Sequence, residues 1–205
     1  PCLVPLSGEV KTPRVLLAGD RVRFVGDGVA FVVAETREAA RAGAEAIWVD
    51  YDELPAVASI KAALAPGAVL IWPEAKSNSL FDWQVGNPAG VEAAIASAAH
   101  VTRLKIIQNR IAPTSMEVRA ALGEYNEGEG FTLTTGSQGV ASMRRELAKA
   151  ILQVPIEQMR VVTHDVGGGF GMKSFIYPEY ALCLHAARHL RRPVKWTGDR
   201  SDAFQ

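Results

Sequence analysis

The chain has 205 residues, 48% of them hydrophobic and 21% charged, with 22 basic side chains against 22 acidic ones. That apolar content at zero net charge excludes disorder as the main state, and the even balance leaves no electrostatic footprint for nucleic-acid binding. No apolar run reaches the roughly 18–20 residues that span a bilayer, the nearest (55–72) being broken by Lys61, Pro66 and Gly67.

Residues 1–5 lack a charged region leading into an apolar one, so no signal peptide is read there. A chain opening on Pro1 instead of methionine is expected to be part of a longer one. Cys2 and Cys183 are far apart with no C-x-x-C spacing, and are read as free thiols in a reducing cytoplasm. Runs 21–25 and 29–34 are strand-like and flank Gly26-Asp27-Gly28, a hairpin signal because glycine tolerates the positive φ of primed turns. Thr36 caps a helix predicted over 37–46, where Ala40, Ala44 and Ile47 share a face, and 47–51 alternates like a strand.

Residues 61–90 hold Pro66, Gly67, Pro73, Gly86 and Pro88, with only 69–72 and 80–83 fit to pack. A connector this long is unusual inside one compact domain, which places a boundary here. The spacing beyond it predicts a helix over 91–99, a strand over 101–111, and strands over 117–125 and 131–135 joined by a turn at 126–130. Val140, Met143, Leu147 and Ile151 recur at helical steps. A strand over 158–163, a glycine cluster, a helix over 179–190 and a strand over 193–197 complete the order. The expected class is α/β (α+β), divided as 1–60, 61–90 and 91–205.

Chemistry concentrates in two strings. Asp165-Val166-Gly167-Gly168-Gly169-Phe170-Gly171-Met172-Lys173 sits between a predicted strand and helix, where its glycines let backbone N–H groups approach a ligand and a helix N-terminus favours anions. It is not the dinucleotide fingerprint, since Met172 stands at the third glycine, nor a P-loop, since no Gly-Lys-Ser/Thr follows. An anion- or cofactor-cradling loop and a tight turn packed under a helix both fit. In Thr134-Thr135-Gly136-Ser137-Gln138, the glutamine can donate and accept without adding charge, or serve as a helix N-cap or loop residue. His185 and His189 are four apart on a helix but lack a third metal ligand. His164 beside Asp165 reads as loop packing, and Arg188, Arg191 and Arg192 as a solvated helix end. Glu117 and Glu124, seven apart, fall on opposite faces of a strand and are not a catalytic pair.

Ser137-Gln138, Arg144-Arg145-Glu146-Leu147-Ala148, the Val166–Lys173 string and Tyr177-Pro178-Glu179 together resemble the molybdopterin-binding large subunit of the xanthine dehydrogenase/aldehyde oxidase family, nearest its aerobic carbon monoxide dehydrogenase branch. Residues 23–36 and 49–57 resemble that family's hammerhead α/β domain, incomplete at its start, and 116–122 its Met-Glu-Pro-Arg-Ala motif. The resemblance implies a hammerhead-type domain followed by the opening mixed α/β subdomain of a molybdenum-cofactor-binding domain. It implies cofactor contacts at Gly168, Gly169, Phe170 and Gly171, and a catalytic role for Gln138, hydrogen-bonded to an oxygen ligand of molybdenum; no residue here is implied as a metal ligand. The implied reaction oxidises a small substrate (carbon monoxide, an aldehyde or an N-heterocycle) with water as oxygen source. The implied cofactor is molybdenum-molybdopterin, its cytosine dinucleotide form left open, with an iron–sulfur cluster and FAD on partner subunits in the cytoplasm. Val118 replaces the family's usual proline, Met172 a small residue, and Ser174 a glutamate of the purine-oxidising branch, which argues against purines. The family's general-base glutamate lies beyond Gln205, so this chain alone is expected to be inactive. A non-catalytic relative acting as a subunit-assembly module, and a generic nucleotide-binding module, are the alternatives. The assignment requires amides near Phe170 and the Gln138 amide to face one open space.

Overall fold

The structure is a computed structural model that describes residues 12, 14–80, 82–109 and 111–204. The readings placed on 1–5 and on Cys2 lie outside the described residues, as does Phe81 of the 80–83 piece.

The carboxyl-terminal half is built on a four-stranded sheet. β1 (Ala120–Asn126) and β2 (Gly130–Thr135) form an antiparallel hairpin in register from Ala121↔Thr135 to Asn126↔Gly130. Asn126 makes the turn: its side-chain oxygen accepts the Gly128 N–H at 3.0 Å and its carbonyl accepts the Glu129 N–H at 3.2 Å, the local hydrogen bonding for which Asn is favoured in turns. β3 (Met159–Val162) lies parallel to β2 and β4 (Val194–Thr197) antiparallel to β1, giving the order β3-β2-β1-β4.

Parallel strands need a crossover. The helical stretch read over 140–151 supplies it, but not as one α-helix. An α-helix spans Val140–Glu146 and continues as a π-helical turn, Leu147–Leu152, which ends at Gln153 with φ 55°.

The core follows the period-two pattern of the hairpin. Phe131, Leu133 and Thr135 of β2 and Ala121 of β1 are buried. The helix Pro178–Leu190 lies across them with Tyr180, Ala181, Cys183, Leu184 and Ala187 inward, all fully buried, the spacing of a helix with one apolar stripe. Full burial of Leu133 or Leu184 contributes about 1.5–3 kcal/mol each. Gly123 of β1 permits this approach, because a Cβ there would stand 2.7 Å from the Cys183 carbonyl carbon.

Towards the amino terminus the helix Arg37–Glu45 forms as predicted, the Thr36 hydroxyl accepting the Ala39 N–H at 3.1 Å. The Gly26-Asp27-Gly28 turn also forms: Asp27 N–H reaches the Phe24 carbonyl at 3.2 Å, and the Asp27 carboxylate accepts the Arg23 N–H at 2.8 Å. Strands expected over 21–25, 29–34, 47–51 and 101–111 are not laddered among the described residues. Alternation prepares a segment for a sheet, but only paired N–H and C=O groups make it a strand. Leu104, Ile106, Ile107 and Ile111 stand at least 78% exposed.

The connector is tied by Asn78, which donates to the Ala63 and Val69 carbonyls at 3.0 and 2.9 Å and accepts the Ile71 N–H at 3.0 Å. Of the two pieces expected to pack, Trp72 carries the Arg23 guanidinium at 5.8 Å whereas Trp83 is exposed. The helix read over 91–99 runs Pro88–Ala96, capped by Asn87.

Candidate functional site

β2 and β3 run in the same direction, so their carboxyl ends share one edge of the sheet, the edge at which ligands bind open α/β sheets. The chain leaving β2 carries Gln138, and the chain leaving β3 carries the glycine loop. Ser137 N–H donates to the Thr163 hydroxyl at 3.2 Å and holds the two exits together.

The two strings singled out in the sequence meet directly. Gln138 Oε1 accepts the Gly171 N–H at 3.0 Å, and the Gln138 N–H donates to the Lys173 carbonyl at 3.0 Å. Gly169 makes room: a Cβ there would lie 2.4 Å from Gln138 Cδ. Gly168 faces Ser115 instead. Gln138 does not cap the following helix, whose N-cap is Gly139.

The backbone enters the left-handed region at Gly168, Phe170 and Gly171, with φ of 97°, 50° and 87°. For Phe170 this costs about 1–2 kcal/mol, and strain of this kind collects at ligand sites. Its ring is 74% exposed, so core packing does not compensate.

An account of the loop amides shows what is left over. Gly167 donates to Glu117 Oε2 at 2.9 Å, Gly168 to the Val166 carbonyl at 2.9 Å, Gly171 to Gln138, and Met172 to the Gly169 carbonyl at 3.0 Å. Within the string, the N–H groups of Asp165, Val166, Gly169, Phe170 and Lys173 have no partner among the described residues, nor does the Gln138 side-chain amide nitrogen; of these amides, Gly169 is the one packed against the Gln138 side chain, with Phe170 next to it. These are neutral donors suited to oxygen-rich or anionic groups. Gln138 and Phe170 stand at an open surface, not in a closed pocket. The neighbouring cleft, lined by Ser115, Val118, Arg119, Asp199 and Arg200, includes only Met172 of the loop. The expected helix N-terminus is also displaced: a 3₁₀ turn, Met172–Ser174, follows the loop, and the long helix starts only at Pro178.

Beneath the loop lies an ion pair that the sequence did not single out. Lys173 is 1% exposed, and its Nζ donates to Glu117 Oε2 at 2.6 Å. The Lys173 hydrogen bond holds the Glu117 carboxyl below its ordinary range, burial opposing it and the Gly167 N–H adding to it. Ser115, also 1% exposed, donates from Oγ to the Glu117 carbonyl at 2.7 Å. Arg200 ties the same segment through the Ser115 and Met116 carbonyls. Glu117 falls within the 116–122 motif, but its ion-pair partner lies 56 positions away. Arg119 belongs to the same motif. It is buried with its guanidinium 3.7 Å from the Tyr177 ring centroid and 5.5 Å from that of Trp196, donating to the Asp202 carbonyl at 3.1 Å.

The other candidates contribute little here. His164, Asp165, His185 and His189 are exposed, and among the described residues no group of three or more His, Cys, Asp or Glu side chains is placed to hold a metal ion. Arg188 is more than a solvated charge, since its guanidinium lies over the Phe131 ring at 5.5 Å.

Comparison with known proteins identifies the family. Residues 71–205 match the molybdopterin cofactor-binding domain family, and residues 5–55 match the aldehyde oxidase and xanthine dehydrogenase a/b hammerhead domain. The carbon monoxide dehydrogenase large chain of Hydrogenophaga pseudoflava is 31% identical over 95% of this chain and 25% of its own length. The aldehyde oxidoreductase molybdenum-binding subunit PaoC of Escherichia coli (strain K12) is 34% identical over 92% of this chain and 24% of its own. Quinoline 2-oxidoreductase from Pseudomonas putida 86 superposes with a TM-score of 0.85 at 33% identity, over 97% of this chain and 25% of that one. The chain thus spans about a quarter of the length of these relatives. It belongs to the molybdopterin cofactor-binding domain family of the aldehyde oxidases and xanthine dehydrogenases, with that family's hammerhead domain preceding it.

Proposed function

We propose that this chain is part of the large subunit of a molybdenum hydroxylase, in which Gln138 and the Gly168–Gly171 loop meet the molybdenum-pterin group. The observation that carries this reading is the set of unspent donors, Gly169 N–H, Phe170 N–H and the Gln138 amide nitrogen, gathered at one sheet edge. They fit the group chemically. All three are neutral and none is a metal ligand, so they would hold an oxygen-rich group through its own oxygens without competing for the metal. When bound, that group supplies the two-electron oxidation of a small substrate with oxygen taken from water.

Each residue then has a task. The Gly169 and Phe170 amides orient the group from a backbone that is already strained into place. Gln138, held through Oε1 by Gly171, keeps its NH₂ free and would donate it to an oxygen-rich part of that group. The domain division 1–60, 61–90 and 91–205 belongs to the same proposal. So do the remainder of the subunit, iron–sulfur and FAD partner subunits, and a cytoplasmic setting. The relatives' names cover carbon monoxide, an aldehyde-oxidising enzyme and quinoline, so the substrate class stays at small oxidisable molecules.

The test is metal and pterin analysis of the complex purified after co-expression with its neighbouring genes. Molybdenum and pterin fluorescence near one per subunit are expected in the wild type, and a clear loss of both in Gln138→Ala and Phe170→Pro. Proline fixes φ near −65° and removes the N–H, whereas Phe170 sits at φ 50°. A stable complex devoid of pterin would instead leave a subunit-assembly module.

A further inference from the structure

The glycine loop is tied at both of its ends and free in its middle. At one end Glu117 and Gly167 hold each other twice: the Glu117 N–H donates to the Gly167 carbonyl at 3.1 Å, and the Gly167 N–H donates to Glu117 Oε2 at 2.9 Å. At the other end Gly171 donates to Gln138 Oε1 at 3.0 Å, and the Gln138 N–H donates to the Lys173 carbonyl at 3.0 Å. Lys173 closes the ring by donating from Nζ to Glu117 Oε2 at 2.6 Å. One carboxylate oxygen therefore gathers donors from the start of the loop and from the turn after it.

We propose that Glu117 and Lys173 are positioning residues that clamp the glycine loop so that the Gly169 and Phe170 amides stay available to an oxygen-rich part of the cofactor. The inference rests on the cofactor reading above and adds the device that keeps the site in shape. A stability role alone does not account for the pair. The Glu117 side chain is 42% exposed, which keeps the pair's own contribution to stability small, and Lys173 is 1% exposed in a setting where a methionine would pack. An apolar pair cannot accept the Gly167 N–H. The clamp acts through Gly167 and Gln138 and touches no reacting atom.

The experiment uses the assembled holoenzyme with three variants: Glu117→Ala combined with Lys173→Met, which leaves no unpaired buried ammonium; Glu117→Gln, which keeps an acceptor; and Gly169→Ala, which disturbs Gln138 directly. Three quantities are read: the melting temperature, hydrogen exchange at the Gly167 and Gly171 amides of cofactor-free protein, and the rate of molybdenum and pterin loss from loaded protein. The double variant is expected to speed exchange and cofactor loss about tenfold, the loss of one charge-assisted hydrogen bond. Glu117→Gln should stay within about threefold of wild type on both, at a similar melting temperature. If the double variant does not fold, Lys173→Met on its own takes its place, the half-exposed Glu117 carboxylate tolerating the loss of its partner, and wild-type exchange and retention in it overturn the clamp. Wild-type retention in the double variant, with loss in Gly169→Ala, overturns the clamp and leaves the cofactor site standing. Wild-type retention in Gly169→Ala as well overturns both.

Discussion

Gln138 Oε1 accepts the Gly171 N–H at 3.0 Å across 33 positions of sequence. That contact, with the Gln138 N–H on the Lys173 carbonyl and the Ser137 N–H on the Thr163 hydroxyl, joins the exit of β2 to the chain after β3, and Gly169 is the residue that leaves space for it. Gly169→Ala should displace the Gln138 amide and little else, because Gln138 is exposed and free to swing. A stability change below about 1 kcal/mol, with cofactor content at least halved, is expected from thermal melts and pterin fluorescence on the same preparations.

Gly123→Ala should behave in the opposite way. Its new methyl would meet the Cys183 backbone at 2.7 Å, and a packed helix backbone cannot swing aside. The helix must lift off the hairpin, at about 1–3 kcal/mol. A fall in the urea midpoint at unchanged slope measures it; an unmoved midpoint would contradict this account of the helix–sheet contact.

Glu117 predicts an acid-sensitive component of stability. Lys173 above all, and then the Gly167 N–H, favour its carboxylate, so its pKa in the fold lies below the ordinary 4.5. A depressed pKa contributes stability that is present above the unfolded value and lost as pH falls through the folded one. The carboxylate is 42% exposed, and solvent screening keeps the contribution below about 1 kcal/mol. Chemical denaturation between about pH 5 and pH 3 should show wild-type stability falling more steeply than that of Glu117→Gln. Parallel curves would remove Glu117 from the acid response.

Cys183 should be silent in the native state. Burial first, and the Glu179 charge second, push its thiol up to about 12, and the residue is fully buried under the hairpin. Thiolate is the reactive form. In a Cys2→Ser background, a disulfide reagent at pH 8 should label Cys183 only as the protein opens, its rate following the urea transition. Prompt labelling in native buffer would contradict the packing described.

Local signals were legible and long-range ones were not. Thr36 announced its helix because a cap and its amide are three residues apart. The hairpin showed itself through alternation and the Asn126 turn, and Gln138 and the glycine loop through their composition between elements. The runs at 29–34 and 101–111 misled for the converse reason: β-like alternation is local, but a ladder partner is not. The switch from α to π helix at Leu147 leaves the apolar spacing nearly unchanged, so periodicity missed it. Lys173 stands at the end of the glycine string, but nothing near it in sequence says that its ammonium is buried and paired with Glu117. Arg119 was hidden in the same way, its aromatic partners Tyr177 and Trp196 lying on later elements.

The sheet described above ends on two strands of four residues each, β3 and β4, whose outward positions carry the exposed Arg160 and Lys195. Short, positively charged rims repel a second copy before its main chain can dock. If preparations of this polypeptide clump, the cause should therefore be sought among the bare indole and aliphatic groups of Val25, Trp48 and Ile60, each more than 80% exposed, and solubilising substitutions belong there and not on the sheet.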